Sequence, residues 1–381
     1  MEPVKGFRDI EDSRKRNAIK KVIEETFSLY NFIPIETPII EYEEFVKKDN
    51  ENDEAVSDVF SLEDRGKRKL ALRYEFTFQL KRLAKNKKLP YRVYQIGNVF
   101  RDEPIRGNRW RQFTQCDADI IGVELKEIAE LLKMSSDILK KLNIKNTMYV
   151  NNRKLLNETL NEIGVLENDR KRVIREIDKL DKLPEKEIKE NLKNYNAEKF
   201  LSILKKPENY FEKYDSYKDI IKLKKLCKLY GVNIKYSPFL ARGLSYYNWI
   251  IFEIKSSIKE TIAAGGNYLI NNIQSSGISF GLDRLELLVK TKYEDRRILI
   301  ISLNQDKKAI QLAKKLREMK IPSQIFYGKI GRALEYANSY NFSYVIFIGD
   351  EEVKKKKIKI RNMKTGKERL LNGYELIKAI L

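Results

Sequence analysis

The chain has 381 residues, of which 42% are apolar and 34% are charged, a composition typical of a folded protein with two or three domains. It contains no histidine, which excludes Ser-His-Asp and Cys-His catalysis and histidine-based zinc sites. The formal charge of +21 fits either a polyanionic partner or a general enrichment in lysine. Residues 296–381 hold 20 Lys and Arg against 8 Asp and Glu, so +12 of this charge lies at the C-terminal end.

The sequence predicts a cytoplasmic protein without membrane contact. The opening stretch MEPVKGFRDI has no apolar segment of a secretory signal, and no run approaches the roughly 18 apolar residues that span a bilayer. The two cysteines, Cys116 and Cys227, form no CxxC pair and fit inert core thiols in a reducing compartment.

The N-terminal region predicts a helix followed by a strand. Residues 11–29 begin with the cap candidates Asp12 and Ser13 and carry apolar residues at near-helical spacing, namely Ile19, Ile23, Phe27 and Leu29. The following NFIPIETPIIE is rich in β-forming residues but is broken by Pro34 and Pro38. A strand with this pattern belongs at a sheet edge or an interface.

Residues 92–102 and 111–122 read as two strands, joined by a loop with the Pro and Gly of EPIRGNR, and predict an antiparallel hairpin. From about 150 to 235 the chain is charged and mostly helical, which predicts an inserted helical module. The apolar faces expected in this module are Val173, Ile177 and Leu180, and Ile220, Leu223, Cys227 and Tyr230.

Strand-like segments return at LSYYNWIIFEI, KETIAAGG and GISFG, and the last leads into a helix at LDRLELLV. Residues 296–381 then alternate strands and helices, which predicts a compact α/β domain. Within it, the run Lys354 to Lys357 fits either a solvated turn or a contact with a nucleic acid backbone.

The hairpin carries side chains that suit a charged ligand. Alternation along its second strand places five of them on one face: Arg111, Phe113, Gln115, Asp117 and Asp119. Arg101 and Glu103 likewise share a face of the first strand. Together they offer arginine for phosphate, a ring for a base, and carboxylates for an ammonium group. A solvated hairpin with surface ion pairs is the alternative, but it gives no reason for Phe113 and Gln115 to lie between charges.

Three motifs resemble, in order, the signatures of class II aminoacyl-tRNA synthetases. PIETPIIE resembles the first, in which Pro38 takes a dimer-interface position; FRDE with RWRQF resembles the second; GISFGLDRLELLV resembles the third. Further stretches resemble the histidyl-tRNA synthetases: KGFRDI, LRYEFTFQL, RGLSYYNWIIFE and AAGGNYL. The stretch QCDADIIG is similar to the archaeal and eukaryotic branch of that family, and the basic C-terminal region resembles its anticodon-binding domain.

This resemblance implies an α+β fold with a class II antiparallel sheet flanked by helices. The catalytic domain would comprise 1–150 and 236–291, interrupted by a helical insertion at 151–235 and followed by an α/β anticodon-binding domain at 296–381. The resemblance further implies a homodimer, a histidine tRNA, L-histidine and ATP with Mg²⁺ as partners, and no structural metal.

The resemblance assigns ATP to five residues. Arg101 would hold the α-phosphate and Glu103 would contact the adenine. That base would stack between Phe113 and Arg284, and Arg284 would also hold the γ-phosphate. Arg109 completes this set.

For histidine, the resemblance assigns Glu75 and Thr77 to the α-amino group and Gln115 to the amino acid backbone. The side chains expected around the imidazole are Asp119, Tyr246, Tyr247 and Tyr268. For Tyr246 and Tyr247 a plain core role, as strand aromatics, is the alternative.

Arg242 matches an arginine peculiar to this family, on the side of the α-phosphate opposite Arg101. Two arginines can stabilise charge that develops on a phosphate without any proton transfer. In the transfer to tRNA, the adenylate phosphate itself can accept the proton. A protein without histidine can therefore catalyse both steps of the implied reaction, the activation of histidine with ATP to histidyl-adenylate and the transfer of the histidyl group to the tRNA.

Three residues depart from the family pattern beside the pocket: Ser245, Asn267 and Leu269. The resemblance also implies that the loop from Pro104 to Arg109 recognises the extra 5′ guanosine of the histidine tRNA. The alternative function is a non-catalytic paralogue that acts as a regulatory subunit, such as the partner of an ATP phosphoribosyltransferase, or as an RNA-binding protein.

Overall fold

The computed structural model describes residues 1–47, 58–105, 107, 109–181, 183–242, 246–290, 297–355 and 357–380. The chain divides into two compact units, Met1–Lys290 and Thr291–Leu381. Ser245, one residue of the 354–357 lysine run and two residues of the 104–109 loop lie outside the described residues. Across those ranges, no helix combines the length and the apolar character that a membrane crossing requires.

The first unit is built on an eight-stranded sheet whose neighbouring strands are antiparallel except in the two outermost pairs. Side by side, its strands are β1 (Ile33–Pro34), β5 (Tyr91–Phe100), β6 (Gln112–Ile121), β11 (Ile273–Gly281), β10 (Ala263–Ile270), β9 (Ile250–Lys255), β7 (Thr147–Asn152) and β8 (Ile234–Tyr236). A separate three-stranded sheet contains β2 (Ile40–Tyr42), β4 (Lys69–Leu72) and β3 (Ser61–Glu63). The predicted edge strand is confirmed, because β1 is the outermost strand.

The helices of the first unit are α1 (Arg14–Leu29), α2 (Glu43–Lys47), α3 (Thr77–Leu83), α4 (Leu125–Lys141), α5 (Arg153–Glu162), α6 (Glu167–Asp178), α7 (Glu185–Lys193), α8 (Glu198–Leu204), α9 (Tyr217–Leu229) and α10 (Leu282–Leu288). Most buried helical residues of the main core, on one face of the large sheet, come from α1, α4, α9 and α10, and α5 and α8 add one each, Leu155 and Ile203. Cys116, Ala118 and Ile120 of β6 point into this core. By alternation, Gln115, Asp117 and Asp119 point to the other face.

The helices α5 to α8 have a core of their own, which includes Leu160, Val173, Ile188 and Phe200. This is the arrangement expected of an inserted helical module. Helix α9 instead packs in the main core through Ile220, Leu223 and Cys227. The expected place of Tyr230 on that buried face is wrong, because its side chain is exposed just after α9 ends.

The predicted hairpin is confirmed, since β5 and β6 pair antiparallel from Tyr91 opposite Ile121 to Phe100 opposite Gln112. Its strands are shorter than predicted. Arg101 and Glu103 lie after the end of β5, and Arg111 lies before the start of β6. These three charged residues are therefore in the connecting loop.

The opening helix is confirmed with two corrections. Ile19, Ile23 and Phe27 are fully buried, but Leu29 is 74% exposed. It lies at the last position of α1, beyond the face that contacts the sheet. The Ser13 side chain makes no capping hydrogen bond, whereas Asp12 Oδ1 accepts the backbone N–H of Arg14 at 3.1 Å.

The second unit has a five-stranded sheet in the order β13 (Ser323–Tyr327), β12 (Ile298–Ser302), β14 (Tyr344–Ile348), β15 (Ile358–Asn362) and β16 (Glu368–Leu371). The first three are parallel and the last two are antiparallel. Its helices are α11 (Asp306–Glu318), α12 (Ile330–Ser339), α13 (Asp350–Lys355) and α14 (Gly373–Ile380). The predicted alternation of strand and helix is confirmed.

One carboxylate in the first unit joins α1, β6 and α10. Asp283 accepts hydrogen bonds from Arg8 at 2.6 Å, from Arg16 at 2.9 Å and from the backbone N–H of Thr114 at 3.1 Å. Arg16 also donates to Glu286 at 2.8 Å. Burial alone would raise the pKa of Asp283, but the hydrogen bonds from Arg16 and from the Thr114 N–H outweigh it and lower that pKa.

We expect Asp283→Asn to lower the free energy of unfolding by about 3 kcal/mol at pH 7, because it leaves the buried Arg16 guanidinium with less compensation. Because the pKa of Asp283 is lowered in the folded state, its carboxylate stabilises the fold fully above the unfolded-state pKa of about 3.9. This stabilisation is lost as pH falls through the folded-state pKa. The difference from wild type, measured by urea denaturation, should therefore shrink below about pH 4. Asp12→Asn, which removes an exposed partner of Arg14, is the control and should change stability by less than about 0.5 kcal/mol. Equal effects of the two variants would contradict this prediction.

Candidate active site

A cluster of polar side chains occupies the face of the large sheet that α1, α4 and α9 do not cover. Asp119 on β6 lies opposite Gly277 on β11, and Asp117 lies opposite Ser279. The Tyr268 hydroxyl on β10 donates to Asp119 Oδ1. A Cβ atom at position 277 would overlap Asp119 Oδ1 and would lie 3.0 Å from the Tyr268 hydroxyl. Glycine at 277 is therefore what allows Asp119 to lie against this strand.

Asp119 is a buried acid whose protonation changes near neutral pH. Burial raises the pKa of Asp119 to about 7, although the hydrogen bond from Tyr268 opposes this rise and the Glu75 carboxylate adds to it. Burial, followed by the Asp119 charge, also raises the pKa of the neighbouring Asp117 well above its usual range. Two carboxyl groups and Glu75 thus lie close enough to disfavour one another's ionised forms.

Three tyrosines line the same pocket. The Tyr246 hydroxyl donates to Glu75 Oε2 at 3.1 Å, and its ring centroid lies 4.9 Å from Tyr247 and 5.8 Å from Tyr268. All three rings belong to or pack against the smaller apolar cluster on this face. Thr77, the first residue of α3, lies beside Tyr246 and influences its pKa.

Gln115 lies between the carboxylates and the loop arginines. Its Nε2 donates to the Ser279 hydroxyl at 2.5 Å and to Asp117 at 3.4 Å. Its Oε1 is buried and has no hydrogen-bond partner among the residues that the structure describes. A buried amide oxygen of this kind is available to a ligand that donates a hydrogen bond.

The loop after β5 presents Arg101 between two rings. Its guanidinium carbon lies 4.2 Å from the Tyr74 ring centroid and 5.1 Å from that of Phe113. Arg101 lies 3.8 Å from the Glu103 carboxylate, which also accepts a hydrogen bond from Arg109 at 3.3 Å. Tyr74 and Glu103 therefore hold Arg101 and Arg109 near one another.

Arg242 approaches the same region from a different loop. Its Nη1 donates to Glu253 on β9 at 2.9 Å. Its Nε is buried and makes no hydrogen bond to any residue within the described ranges. Burial alone would lower the pKa of Arg242, but Tyr247 and Glu253 outweigh it and raise that pKa. The guanidinium therefore stays charged in a buried position.

Arg284, on α10, shows that the arginines converge. Its Nη1 donates to the Thr261 carbonyl at 2.5 Å. Burial lowers the pKa of Arg284, and the charges of Arg109, Arg101 and Arg242 lower it further. Arg284 therefore lies close enough to three other guanidinium groups to be destabilised by them, and four arginines gathered in this way suit a compound with several negative charges.

The structure places most of the predicted site residues in one region, namely Glu75, Thr77, Arg101, Glu103, Arg109, Phe113, Gln115, Asp119, Arg242, Tyr246, Tyr247, Tyr268 and Arg284. Pro38 lies apart, between β1 and β2. Asn267 and Leu269 flank Tyr268 on β10 and so point to the opposite face. Asn267 is buried and donates to the Ser275 carbonyl at 3.1 Å, and these two departures from the family pattern do not line the pocket.

Sequence reasoning missed several residues that hold the site together, among them Tyr74, Glu253, Gly277 and Ser279. Their contacts are between segments far apart in the chain, so no local pattern marks them. Only Gly277 gave a signal, as an isolated glycine inside a strand pattern, which indicates a close approach of another group. Among the described residues, no group of three or more Cys, Asp and Glu side chains could hold a metal ion.

The arrangement joins two kinds of binding chemistry. One end carries buried carboxyl groups and tyrosines, which suit a small ligand with cationic or hydrogen-bond-donating groups. The other end carries four arginines and the Phe113 ring, which suit phosphates and a planar base. An amino acid and a nucleotide could therefore meet within it.

The comparisons with known proteins identify the class of enzyme to which this fold and this site belong. Residues 6–285 match the model of the histidyl-tRNA synthetase family, and residues 297–381 match that of an anticodon binding domain. The fold and the site are those of an aminoacyl-tRNA synthetase. The chain belongs to the histidyl-tRNA synthetase family.

Individual relatives cover nearly the whole chain. Histidine–tRNA ligase 1 of Bacillus cereus (strain ATCC 10987 / NRS 248) is 35% identical over 97% of this chain and 94% of the relative. The histidine–tRNA ligase of Methanococcus aeolicus is 30% identical over 98% of both chains. The crystal structure of histidyl-tRNA synthetase from Nostoc sp. PCC 7120 has a TM-score of 0.82 at 20% identity and covers 100% of this chain and 98% of its own. This likeness confirms the predicted α+β fold.

Proposed function

We propose that this protein is a histidine–tRNA ligase that activates L-histidine with ATP to histidyl-adenylate and transfers the histidyl group to the 3′ end of a histidine tRNA. The observation that carries the proposal is the convergence of four buried or half-buried arginines beside a pocket closed by Asp119 and Tyr268. Glu75 connects the two ends, because its charge influences the pKa of both Arg101 and Asp119.

At the arginine end, we assign ATP to Arg101, Glu103, Arg109, Phe113 and Arg284. Arg101 would hold the α-phosphate and Arg284 the γ-phosphate, and the adenine would stack between Phe113 and Arg284. Support comes from the destabilisation of Arg284 by the charges of the neighbouring arginines, which a polyphosphate would relieve. Mg²⁺ would enter with ATP, whose phosphate oxygens are its preferred ligands.

At the carboxylate end, we assign the α-amino group of histidine to Glu75 and Thr77, and its backbone to Gln115, whose Oε1 lacks a partner among the described residues. The imidazole would lie among Asp119, Tyr246, Tyr247 and Tyr268. The buried Asp119 carboxyl can accept a ring N–H when ionised and donate to a ring nitrogen when protonated. This pair of states suits a ligand that itself titrates near neutral pH.

The chemistry then depends on charge and position. Attack of the histidine carboxylate on the α-phosphate breaks the bond to the β-phosphate and releases pyrophosphate. It builds negative charge on the non-bridging oxygens, which Arg101 and Arg242 would stabilise from opposite sides. No protein base is needed. In the second step, a tRNA hydroxyl attacks the acyl carbon, the acyl–phosphate bond breaks, and the adenylate phosphate accepts the proton as AMP leaves.

We propose that tRNA binds through residues 297–381, where the match to an anticodon binding domain coincides with 19 Lys and Arg against 8 Asp and Glu, or +11 of the net charge of +21. The loop 104–109 would read the extra 5′ guanosine, and the lysines of 354–357 would contact the tRNA backbone. In this proposal the catalytic domain comprises 1–150 and 236–291, and 151–235 is the helical insertion.

We propose a cytoplasmic homodimer with Pro38 at its interface. Around Pro38, the edge strand β1 and strand β2 expose large apolar side chains, with Ile33 55%, Ile40 49% and Tyr42 57% exposed. The free, buried thiols of Cys116 and Cys227 fit a reducing compartment.

The predicted kinship with the archaeal and eukaryotic branch has no support here, because the Bacillus relatives are more similar than the archaeal one.

A non-catalytic paralogue is the second candidate, since a structure described as an ATP phosphoribosyltransferase regulatory subunit/histidyl-tRNA synthetase from Bacillus halodurans has a TM-score of 0.77 at 21% identity and covers 91% of this chain and 97% of its own. That likeness concerns the fold alone. The three arginines assigned to ATP, together with Arg242, argue for catalysis, because a purely regulatory chain has no need to gather so many positive charges in one partly buried site.

The proposal is tested by ATP–pyrophosphate exchange with each of the twenty amino acids. We expect exchange with histidine alone. Arg242→Ala should lower kcat for exchange by about 10²–10³, with a much smaller change in histidine affinity. The reason is that the Arg242 guanidinium would stabilise negative charge that develops on the phosphate in the transition state. Arg172→Ala, which removes an exposed arginine of α6, is the matched control. No exchange by the wild type would favour the non-catalytic paralogue.

Gly277→Ala tests the place of Asp119. The added Cβ must displace the Asp119 carboxyl or β11, so we expect KM for histidine in exchange to rise roughly 10–10²-fold, the cost of a lost hydrogen bond to a charged group. KM for ATP should change much less. Gly331→Ala, which adds a Cβ with no atom within 4 Å, is the control. An unchanged KM for histidine would remove Asp119 from the amino acid site.

An acid limb in the dependence of kcat/KM on pH is a fall in rate at low pH. Because the protein contains no histidine, such a limb can be assigned to particular groups. Asp119, with a pKa of about 7, and the substrate imidazole, at about 6.5, both titrate in this range. Binding is weakest when both are protonated, because the imidazolium then has no nitrogen that can accept the Asp119 O–H and no longer faces an ionised carboxylate. We expect an acid limb near about pH 6 in histidine-dependent exchange.

A histidine analogue with a less basic ring, such as a triazole, separates the two groups. Its ring stays neutral at the pH of the limb, so the limb should move to lower pH. A limb that keeps its position with the analogue would assign it to the protein alone. That result would contradict the proposal that the site reads the imidazole.

A further inference from the structure

The backbone of Arg242 has a conformation that its residue type rarely adopts. Its φ is +54°, in the left-handed region. The other non-glycine residues in that region, among those that the structure describes, are all Asn or Lys. Asn tolerates this conformation because its short side chain can hydrogen-bond locally, but an arginine has no such compensation. Surrounding contacts must therefore hold Arg242 in place.

Those contacts come from Arg153, the first residue of α5. Its Nη1 donates to the Ala241 carbonyl at 2.8 Å and to the Arg242 carbonyl at 3.2 Å. Arg153 is only 4% exposed. Its own backbone N–H donates to the Trp249 carbonyl at 2.8 Å. One residue thus contacts the chain on both sides of the 242–249 segment.

The end of β7 reinforces this attachment. Asn151 Nδ2 donates to the Leu240 carbonyl at 2.9 Å and to the Pro238 carbonyl at 3.2 Å. Together with the bonds of Arg153, this side chain satisfies four carbonyls of the segment that leads into Arg242. The side chain of Arg242 is held separately, by Glu253. The direction in which its guanidinium points is therefore fixed at both ends.

From these contacts we infer that Arg153 is a positioning residue for the reaction: it holds the backbone of Arg242 in the left-handed conformation and so aims the Arg242 guanidinium at the reacting phosphate. The inference rests on the proposed function. Without the Arg153 guanidinium, the 241 and 242 carbonyls lose their buried donor and the backbone can relax to a commoner conformation. Arg153 itself touches no substrate in this assignment and acts only through Arg242.

The test is a double-mutant cycle in histidine-dependent exchange, with the active fraction of each preparation measured by the burst of adenylate. Arg153→Met should lower kcat on the order of 10²-fold, the cost of displacing a catalytic group by about 1 Å, with histidine KM nearly unchanged. In the Arg242→Ala background, the same substitution should change kcat by no more than about twofold. Arg153→Lys, which keeps a charged donor, should recover part of the loss.

Asn152→Ser is the matched control. Asn152 precedes Arg153 and donates to the Ser216 carbonyl at 2.9 Å, and serine keeps the helix cap that its Oδ1 provides to α5. This variant removes a buried hydrogen bond at the same strand end without touching 238–242. Its kcat per active site should equal that of the wild type.

Two results would overturn the inference. One is an unchanged kcat per active site in Arg153→Met when the wild type is active and Arg242→Ala is impaired. The other is an equal loss in the Arg242→Ala background, which would mean that Arg153 supports the fold and not Arg242. If Arg153→Met yields no folded protein, Arg153→Lys takes its place in the same cycle. Absence of exchange in the wild type would instead count against the proposed function.

Discussion

The Asp283 carboxylate is the interaction on which the catalytic unit most depends. It accepts hydrogen bonds from Arg8, Arg16 and the backbone of Thr114. Thr114 follows Phe113, and Asp283 precedes Arg284. The one carboxylate therefore fixes the separation of the two side chains proposed to enclose the adenine. It also attaches α1 to both, so a loss at this point would disturb the fold and the nucleotide site together.

Because the chain lacks histidine, its chemistry depends on the placement of charges that do not change with pH near neutrality. Arginine remains charged even when buried. Here neighbouring groups favour the charged form further: Tyr74 and Glu103 raise the pKa of Arg101, and Tyr247 and Glu253 raise that of Arg242. The buried carboxyl groups differ, since burial raises the pKa of Asp117 well above its usual range and that of Asp119 to about 7. A site of this kind would distinguish substrates by protonation without a protein imidazole.

Sequence patterns predicted the hairpin, the opening helix and the α/β C-terminal unit, because those features rest on local periodicity. Family motifs picked out residues that the fold brings into one region. They failed where a contact joins distant segments. Nothing local shows that Arg153 holds Arg242, or that Gly277 makes room for Asp119. Strand ends were also misplaced, since the period of two continues through Arg101 although β5 ends at Phe100.

The candidate site holds charges and polar atoms at a cost in stability. Asp117 and Asp119 are buried with raised pKa values, Arg284 is destabilised by other arginines, and Gln115 Oε1 and Arg242 Nε lack partners among the described residues. The four carbonyls before and at Arg242 are, by contrast, satisfied by Arg153 and Asn151. The unmet Gln115 Oε1 and Arg242 Nε lie in the candidate site, where ligands with complementary groups would complete them. The Glu75 charge stabilises the charged form of Arg101, so an ammonium group that neutralised Glu75 would leave Arg101 with more to gain from a phosphate, and the two proposed substrates would favour each other's binding.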